Sequence, residues 1–408
     1  MIRMTRLSGA RLLLSLWLGA ILALAGCGED AEVQLDVTVE GESRASVSGS
    51  IVGVTGPLSL SLNGGQTVTV TQSGSFAFTG GLFHGTAAQI TVSGQPSFGN
   101  CVVRNGDHPS ISGDIVVRVY CIAAGAIQDS LNLDIGTATV GTPAGNGTPA
   151  FIDAMGTLAA FNFPLGAATD GERLWIADSG NHRIRQVDLA TGDVTTVVGD
   201  GTTPILNLPG GVTTDGNFLW IADASNNRVR QFELATGALT TVLTGLNTPA
   251  DVTTDGRYVY VLERLTNQVR RYDPSTGAAP VLATGFNQPS GITHDGTWLY
   301  VADTANNLVS RVDPATGVST PFVTGLNFPR GVTTDGTWLY ISNSGAQTML
   351  KTDLATGGTA LLAGTAGSPG AIDGAASGAQ FNSPYGGVPV NGKLYIAGGT
   401  NHTVRVIQ

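Results

Sequence analysis

A short, almost wholly apolar segment recurs six times after residue 170. Each copy resembles Leu174-Trp175-Ile176-Ala177, with an aromatic residue at its second position. The copies occupy residues 174–177, 219–222, 259–262, 299–302, 339–342 and 394–397. A strand with one face in solvent alternates apolar and polar residues, whereas these segments are apolar at nearly every position. The pattern therefore predicts six strands that are each covered on both faces.

Turn signals place each apolar segment inside a longer repeat. An Asn-x-Pro opening and then an Asp-Gly or Asn-Gly turn precede every copy, and a further strand pattern follows it. The opening asparagines, from Asn162 to Asn382, are separated by 45, 40, 40, 40 and 55 residues. A period near 40 made of short strands and Gly-rich turns is typical of a β-propeller with four strands per blade. We therefore expect an all-β fold.

The sixth repeat ends at Gln408, after its third strand, and its fourth strand can be found upstream. Residues 137–142 are similar to residues 359–364, which form the fourth strand of the fifth repeat. The similarity continues from Phe151-Ile152-Asp153 to Ala371-Ile372-Asp373. Sharing a strand in this way would close the ring and remove its open sheet edges. The propeller is therefore expected to have six blades within residues 130–408.

One motif carries a family resemblance. Residues 178–185, together with Pro164-x-Gly166, resemble an NHL repeat, and residues 223–230 and 303–310 repeat the pattern. The resemblance implies a six-bladed propeller. Most propellers of this family are binding platforms, and related six-bladed propellers include metal-dependent lyases and lactonases. The third and fifth blades depart from the motif, with Glu263 and Asn343 at the position of its first Asp.

The N-terminal segment has the features of an export signal. Three arginines precede the apolar residues 12–25, a run too short for a comfortable membrane span. Residues 24–27, Leu-Ala-Gly-Cys, resemble a bacterial lipobox, which implies cleavage after residue 26 and lipidation of Cys27. Gly28 follows, so sorting to the outer membrane or cell surface is favoured over retention. An ordinary secretory signal is the alternative.

Residues 27–46 are polar and are expected to form a tether, and residues 47–124 a small β-sandwich. Seven short alternating strands in this second segment suit an immunoglobulin-like module. The true immunoglobulin Cys-Trp-Cys pattern is absent, so the strand topology stays open. Cys101 and Cys121 form an even pair in an exported chain, which predicts a disulfide, with two buried thiols as the alternative.

Charge narrows the choice of partners. The chain has 20 basic and 30 acidic residues, and loss of residues 1–26 would leave 17 basic residues and a net charge of −13. Such a chain is not expected to bind nucleic acid or anionic lipid through charge. Membrane contact is therefore expected through the lipid anchor alone. We expect a monomer.

The sequence predicts neither catalytic residues nor a metal or other cofactor. A catalytic metal in a propeller needs ligands that converge on the central channel from several blades. His182 and His402 fall instead in the turn after the second strand, and His294 stands alone in an innermost strand. The Asp at positions 178, 223 and 303 is interpreted as a cap for backbone N–H groups.

The candidate binding residues lie where each innermost strand begins and in two long inserts. The residue after each opening Pro varies although its neighbours repeat, which leaves room for function. Inserts at 142–160 and 364–380 flank the sixth blade, and loops on a rigid scaffold often carry binding. The candidates are Arg330, Tyr385, Ser290, Leu165, Phe151, Asp153 and Asp373. Gly- and Ala-rich filler is the alternative interpretation of the inserts.

These features predict a surface-anchored bacterial lipoprotein whose propeller binds a protein, a glycan or a small molecule. A metal-dependent lyase or lactonase is the competing class, and it requires His, Glu, Asp or Asn clustered in the innermost strands. Asp251 is the one carboxylate near the mouth in the Pro-x-Gly segments, which counts against the enzyme. A purely structural envelope protein is the third class.

Overall fold

The computed structural model describes residues 44–52, 57–71, 74–79, 82–83, 87–94, 99–104, 107–108, 115–123, 133, 135–201 and 205–408. Residues 1–43 lie outside this set, so the predicted signal segment, Cys27 and most of the tether are not described. The same holds for residues 124–132, where the boundary before the propeller was expected. No helix in the described part is long and apolar enough to cross a membrane.

Residues 135–408, apart from 202–204, form six antiparallel sheets that correspond to the six predicted blades. Blade 1 contains Pro164–Thr169, Arg173–Asp178, Arg183–Asp188 and Val194–Val198. Blade 2 contains Pro209–Thr214, Phe218–Asp223, Arg228–Glu233 and Leu239–Leu243. Blade 3 contains Pro249–Thr254, Val259–Glu263, Gln268–Tyr272 and Val281–Thr284.

Blade 4 contains Gly291–His294, Leu299–Asp303, Leu308–Val312 and Ser319–Val323. Blade 5 contains Pro329–Thr334, Trp338–Asn343, Thr348–Asp353 and Thr359–Ala363. Blade 6 contains Gly387–Val390, Lys393–Ala397, Val404–Ile407 and Thr139–Ala144, with Gly374–Ala375 added at its outer edge. Short 3₁₀ turns follow the second strands of five blades, at Ser179–Asn181, Ala224–Asn226, Thr304–Asn306, Ser344–Ala346 and Gly399–Asn401.

The hydrophobic cores lie between successive blades. In the second strand of blade 1, Leu174 and Ile176 pack against blade 6, whereas Trp175 and Ala177 pack against blade 2. All four side chains are fully buried. Four further clusters join the remaining pairs of neighbouring blades in the same way. Burial of both faces of these strands, predicted from their continuous apolar sequence, is confirmed.

The predicted shared strand closes the ring. Thr139–Ala144 pairs antiparallel with Val404–Ile407, so the start of the propeller completes the sheet that its end begins. Val140 and Ala144 are buried, Val140 beside Ile407 and Ala144 beside Val404. The backbone of Thr139 also exchanges two hydrogen bonds with Gln408. The all-β six-bladed fold and its closure follow the sequence prediction.

Residues 44–123, where described, form two four-stranded sheets and one two-stranded sheet. All seven predicted strands are present, at Val47–Val52, Leu58–Leu62, Gln66–Val70, Gly74–Ala77, Ala88–Gly94, Gly99–Arg104 and Ile115–Ala123. A short strand at Arg44–Ala45 begins inside the predicted tether. The immunoglobulin-like character of this segment stays a prediction.

Cys101 and Cys121 are directly opposed partners in two antiparallel strands of this segment. Opposed residues of an antiparallel pair have Cα atoms about 4.5–5.5 Å apart, which lies within the range of a disulfide. The backbone register is therefore compatible with the predicted disulfide, which stays a prediction.

Candidate functional site

The candidate site lies on the propeller face formed by the Asn-x-Pro openings, at the mouth of the central channel. The opening Asn donates its backbone N–H to the residue that ends the second strand of its own blade. The acceptors are Asp178, Asp223, Glu263, Asp303 and Asn343, each at 2.7 Å. The Asp accepts a backbone N–H as predicted, but not one from its own turn, and Glu or Asn takes its place in the two divergent blades. The N–H groups belong to the opening Asn and not to the turn that follows the Asp, because the chain folds that Asn back over the strand end.

A second set of hydrogen bonds links each blade to the next on this face. The middle residue of each Asn-x-Pro has a left-handed backbone and donates its N–H to a side chain of the preceding blade. These hydrogen bonds are 2.7–3.1 Å long, and their donor and acceptor residues are Phe163 to His402, Leu208 to His182, Thr248 to Asn227, Gln288 to Asn267, Phe328 to Asn307 and Ser383 to Gln347. His182 and His402 are therefore hydrogen-bond acceptors between blades. The sequence placed them in this turn, but it gave no sign of the contact across blades.

Arg330 and Tyr385 meet at the mouth, where blades 5 and 6 adjoin. The guanidinium of Arg330 lies 5.0 Å from the centre of the Tyr385 ring, and its Nη1 donates to the Tyr385 hydroxyl at 3.0 Å. On its other side the Tyr385 ring packs edge-on against Phe163 of the blade 1 opening, at 6.3 Å between ring centres. The hydroxyl of Ser342 in blade 5 donates to the Tyr385 carbonyl and holds the backbone there. Both side chains are partly exposed.

Arg330 has no carboxylate partner among the residues that the structure describes. Its nearest polar contact is a neutral phenol, so the positive charge is not compensated locally. Stacking on Tyr385 holds the guanidinium plane while several N–H donors stay available. Guanidinium groups bind carboxylate and phosphate oxygens bidentately when they are held in this way. This pair can therefore bind an anionic or carbonyl-bearing group.

The other candidate mouth residues differ in accessibility. Leu165 is partly exposed, in keeping with a place at the mouth. Ser290 is buried, and its hydroxyl lies 2.8 Å from that of Thr304, which in turn donates to the Pro329 carbonyl. Ser290 therefore links blades 4 and 5 internally and does not face the mouth. From the sequence, a serine after Pro is expected to lie on the polar surface. Its burial becomes evident only from the contact with Thr304 in the structure.

The two inserts are tied to the blades by matching ion pairs. Asp153 accepts from Arg185 at 2.5 Å, and Asp373 accepts from Arg405 at 2.6 Å. Both arginine side chains are fully buried, and each also donates to a main-chain carbonyl of its own insert. Asp153 and Asp373 thus anchor the inserts through Oδ1, while their side chains stay 39% and 44% exposed, so a binding role for them stays a prediction. The sequence similarity between residues 151–153 and 371–373 thus reflects the equivalent ion pairs of Asp153 and Asp373.

Phe151, the remaining candidate, lies on the surface of the first insert. The Arg183 guanidinium lies 3.7 Å from the centre of its ring, and the buried Arg185 guanidinium lies 4.8 Å away. The ring is 42% exposed. Ile152, Met155 and Leu158 of the same insert are also exposed. This apolar surface is distinct from the Arg330–Tyr385 pair.

The described residues contain no group of three His, Cys, Asp or Glu side chains placed to hold a metal ion. His294 stacks on Tyr260 at 6.0 Å, and its Nδ1 accepts the N–H of Gly296 in the neighbouring turn. His84 lies outside the described residues, and for His108 the structure describes the backbone alone. The clustered donors required by the enzyme alternative are thus not seen in the described part of the propeller.

The fold is a six-bladed β-propeller with four-stranded blades. The NHL repeat family matches residues 161–187, which span the opening, the second strand and most of the third strand of blade 1. Protein SUPPRESSOR OF QUENCHING 1, chloroplastic, from Arabidopsis thaliana is 30% identical over 123 residues. That match covers 27% of this chain and 12% of the Arabidopsis protein.

Solved structures resemble the chain over most of its length. An auxiliary nutrient binding protein from Bacteroides thetaiotaomicron has a TM-score of 0.57 at 15% identity, over 90% of this chain and 98% of its own. A protein of unknown function from the same organism has a TM-score of 0.59 at 16% identity, over 86% and 90%. A gluconolactonase from Xanthomonas campestris has a TM-score of 0.51 at 16% identity, over 70% and 93%. These likenesses support the fold.

Proposed function

We propose that this protein is a lipid-anchored bacterial envelope protein whose propeller binds a ligand at the channel mouth through Arg330 and Tyr385. The observation that carries the binding proposal is the uncompensated guanidinium held on an aromatic ring. Arg173, Arg185, Arg228, Arg270 and Arg405 of the described propeller each have a carboxylate within 3.4 Å, whereas Arg330 at the mouth has none. A charge held at a concave mouth without a partner favours a partner from outside.

The ligand class follows from the chemistry of the pair. A guanidinium donates to two oxygens at once, and the flanking Tyr385 and Phe163 rings offer an apolar surface beside it. A carboxylate attached to an apolar body meets both requirements. A small organic acid is therefore the simplest ligand, and a glycan or peptide carboxylate has the same chemistry.

Ligand-detected NMR with hexanoate and the full chain tests this proposal. Replacing Arg330 by Ala should abolish the saturation-transfer signal of hexanoate, and Tyr385→Phe should weaken it, while the melting temperature changes little. Arg257→Ala is the matched control, because Arg257 is an exposed arginine that also lies over a tyrosine ring, that of Tyr258 at 4.9 Å. Unaltered hexanoate binding by the Arg330→Ala protein would exclude this site.

The anchoring part of the proposal rests on Leu24-Ala25-Gly26-Cys27 and on the apolar run before it. Labelling of cells with a palmitate analogue should mark the wild-type protein, and Cys27→Ser should lose the label and leave the membrane fraction. Cys121→Ser is the control for removal of a thiol. Label that persists in the Cys27→Ser protein would exclude lipidation at this residue.

A further inference from the structure

The innermost strands of the six blades touch one another around the channel at one ring of residues. These are Gly166, Gly211, Asp251, Gly291, Gly331 and Gly386, the second residue after each opening Pro. A methyl group added to Gly166 would lie 2.7 Å from the Cα of Gly211, and one added to Gly291 would lie 3.1 Å from the Cα of Gly331. Contacts this close leave room for glycine alone. Asp251 is the exception in this ring.

The Asp251 carboxylate lies among the innermost strands of three neighbouring blades. Its Oδ1 accepts the N–H of Val252 in blade 3, and its Oδ2 accepts the N–H of Ile292 in blade 4, both at 2.9 Å. The same Oδ1 fills the space that a side chain on Gly211 of blade 2 would need. The carboxylate therefore bridges the innermost strands of blades 2, 3 and 4. The residue as a whole is partly accessible to water.

Few charges face Asp251 within the channel. The six innermost strands and the mouth positions contain, besides Asp251, three ionisable side chains: Arg330, Tyr385 and His294. His294 is engaged with Tyr260 and Gly296, and Tyr385 is bonded to Arg330. Arg330 and Asp251 are not in ion-pair contact with each other or with any other described residue. Arg330 and Asp251 therefore both lack an ionic partner among the described residues.

The positions of the two charges suit a ligand that bridges them. Arg330 belongs to blade 5 and contacts Tyr385 of blade 6, and in a ring of six blades blade 3 lies opposite blade 6. Asp251 of blade 3 directly follows the mouth position of its own blade. Burial raises the pKa of the Asp251 carboxyl to about 7, because the two backbone N–H donors only partly replace lost water. A cation bound beside this carboxylate would relieve that cost of burial.

We propose that Asp251 binds a protonated amine, and that the ligand of the mouth is a zwitterion whose anionic group lies on Arg330. This rests on the proposed function, because it assigns the opposite end of the same ligand. An amine fits the site better than a metal ion. A single carboxylate and a few main-chain oxygens satisfy an ammonium group, whereas Ca²⁺ requires six to eight oxygen ligands. The described residues gather no such set.

Matched pairs of probes test the assignment: acetate against glycine, butanoate against 4-aminobutanoate, and hexanoate against 6-aminohexanoate. Affinities would be measured by NMR titration of the full chain at pH 8, where the Asp251 carboxylate is ionised. At one chain length, the amino acid should bind at least about tenfold more tightly than its amine-free partner, since a charge-assisted contact is worth that much. The length that shows this preference reports the distance between the two charges.

Asp251→Gly is the informative variant, because it restores the residue that the other five blades carry. It should melt near the wild-type temperature and still bind the amine-free acids, but lose the preference for the amino acid. Asp251→Asn provides a second variant of nearly the same shape, with the same expected loss. Arg330→Ala should lose the binding of both the acid and the amino acid of each pair.

Three results would overturn the assignment. The first is equal affinity for both members of every pair together with Arg330-dependent binding of the acids. That result excludes a zwitterionic ligand but agrees with the proposed function. An amine preference that survives in Asp251→Gly places the amine elsewhere. Competition of millimolar Ca²⁺ or Mg²⁺ with the amino acid in the wild type, but not in Asp251→Gly, makes the site a metal site. If no acid binds in an Arg330-dependent way, the proposed function itself fails.

Discussion

The backbone N–H of Phe163 in blade 1 donates a hydrogen bond to Nδ1 of His402 in blade 6, with 3.0 Å between the nitrogens. This contact crosses the junction where the two ends of the propeller meet. The equivalent junctions of blades 2 to 5 use the amide oxygen of an Asn or Gln, which accepts in the same way but does not titrate. The ring therefore closes through an acceptor that protonation of the imidazole would remove.

Acid should weaken this closure. Burial lowers the pKa of His402 from its ordinary 6.5. The unfolded chain then takes up the proton first as pH falls, so the contribution of His402 to stability is complete above pH 6.5 and is lost below it. His402→Asn, which copies the amide acceptor of blades 2 to 5, should reduce the difference in unfolding free energy between pH 7.5 and pH 5. Denaturant titrations of both proteins at the two pH values measure it.

An equal acid sensitivity in His402→Asn would contradict this interpretation. His402→Ala provides the comparison, because it removes the acceptor at every pH. It should therefore be less stable than His402→Asn even at pH 7.5.

Removal of Arg185 should strongly destabilise blade 1. Its fully buried guanidinium pairs with Asp178 at 2.9 Å, and burial already raises the pKa of that carboxyl. Arg185→Met would leave Asp178 buried without its cation, at an expected cost of about 3–5 kcal/mol. Asp153→Asn breaks the other contact of the same arginine, but its carboxylate is 39% exposed and the cost should stay below about 1 kcal/mol. Urea unfolding measures the unfolding free energy of both variants. Equal decreases would show that the buried pair with Asp178 stabilises the blade no more than the exposed pair with Asp153.

The glycine ring should resist substitution. A methyl group on Gly331 would lie 3.0 Å from the Cα of Gly386 and would overlap the Tyr385 carbonyl oxygen. Gly331→Ala should therefore cost about 1–3 kcal/mol, and it should weaken hexanoate binding because Tyr385 must move. Gly378→Ala is the control, since its methyl group would meet nothing closer than 3.8 Å. Thermal melts and the NMR titration measure both effects. If Gly331→Ala changes neither the melting temperature nor the affinity for hexanoate, the blades can move apart at the glycine ring.

Loss of the shared strand should open the propeller. Deletion of residues 130–143 removes most of the strand Thr139–Ala144 and leaves Val404–Ile407 as an unpaired edge. Burial of Val140 alone is worth about 1.5–3 kcal/mol, and the uncovered Ile407 adds a similar amount. A chain that begins at residue 125 should melt like the propeller of the full chain. If the deletion melts at the same temperature, closure does not depend on this strand.

The repeat alone determined much of the fold. Two-sided apolar segments at a period near 40 identified strands packed between blades, because only a stacked arrangement covers both faces of a strand. The similarity of residues 137–142 to 359–364 identified the closing strand, since identical blades need the same four strands. The period also placed Arg330 and Tyr385 at equivalent positions of adjacent blades, and the structure brings their side chains into contact.

Tertiary structure alone decided what the individual polar residues do. Ser290 is buried because Thr304 of its own blade bonds to it, and Asp153 and Asp373 are drawn into ion pairs with Arg185 and Arg405. Asp251 bonds to the neighbouring blade because the innermost strands approach within glycine contact. Each of these contacts joins residues far apart in sequence or on different strands. Their directions depend on how the blades tilt and pack, and a pattern of residue types along one chain does not specify that geometry.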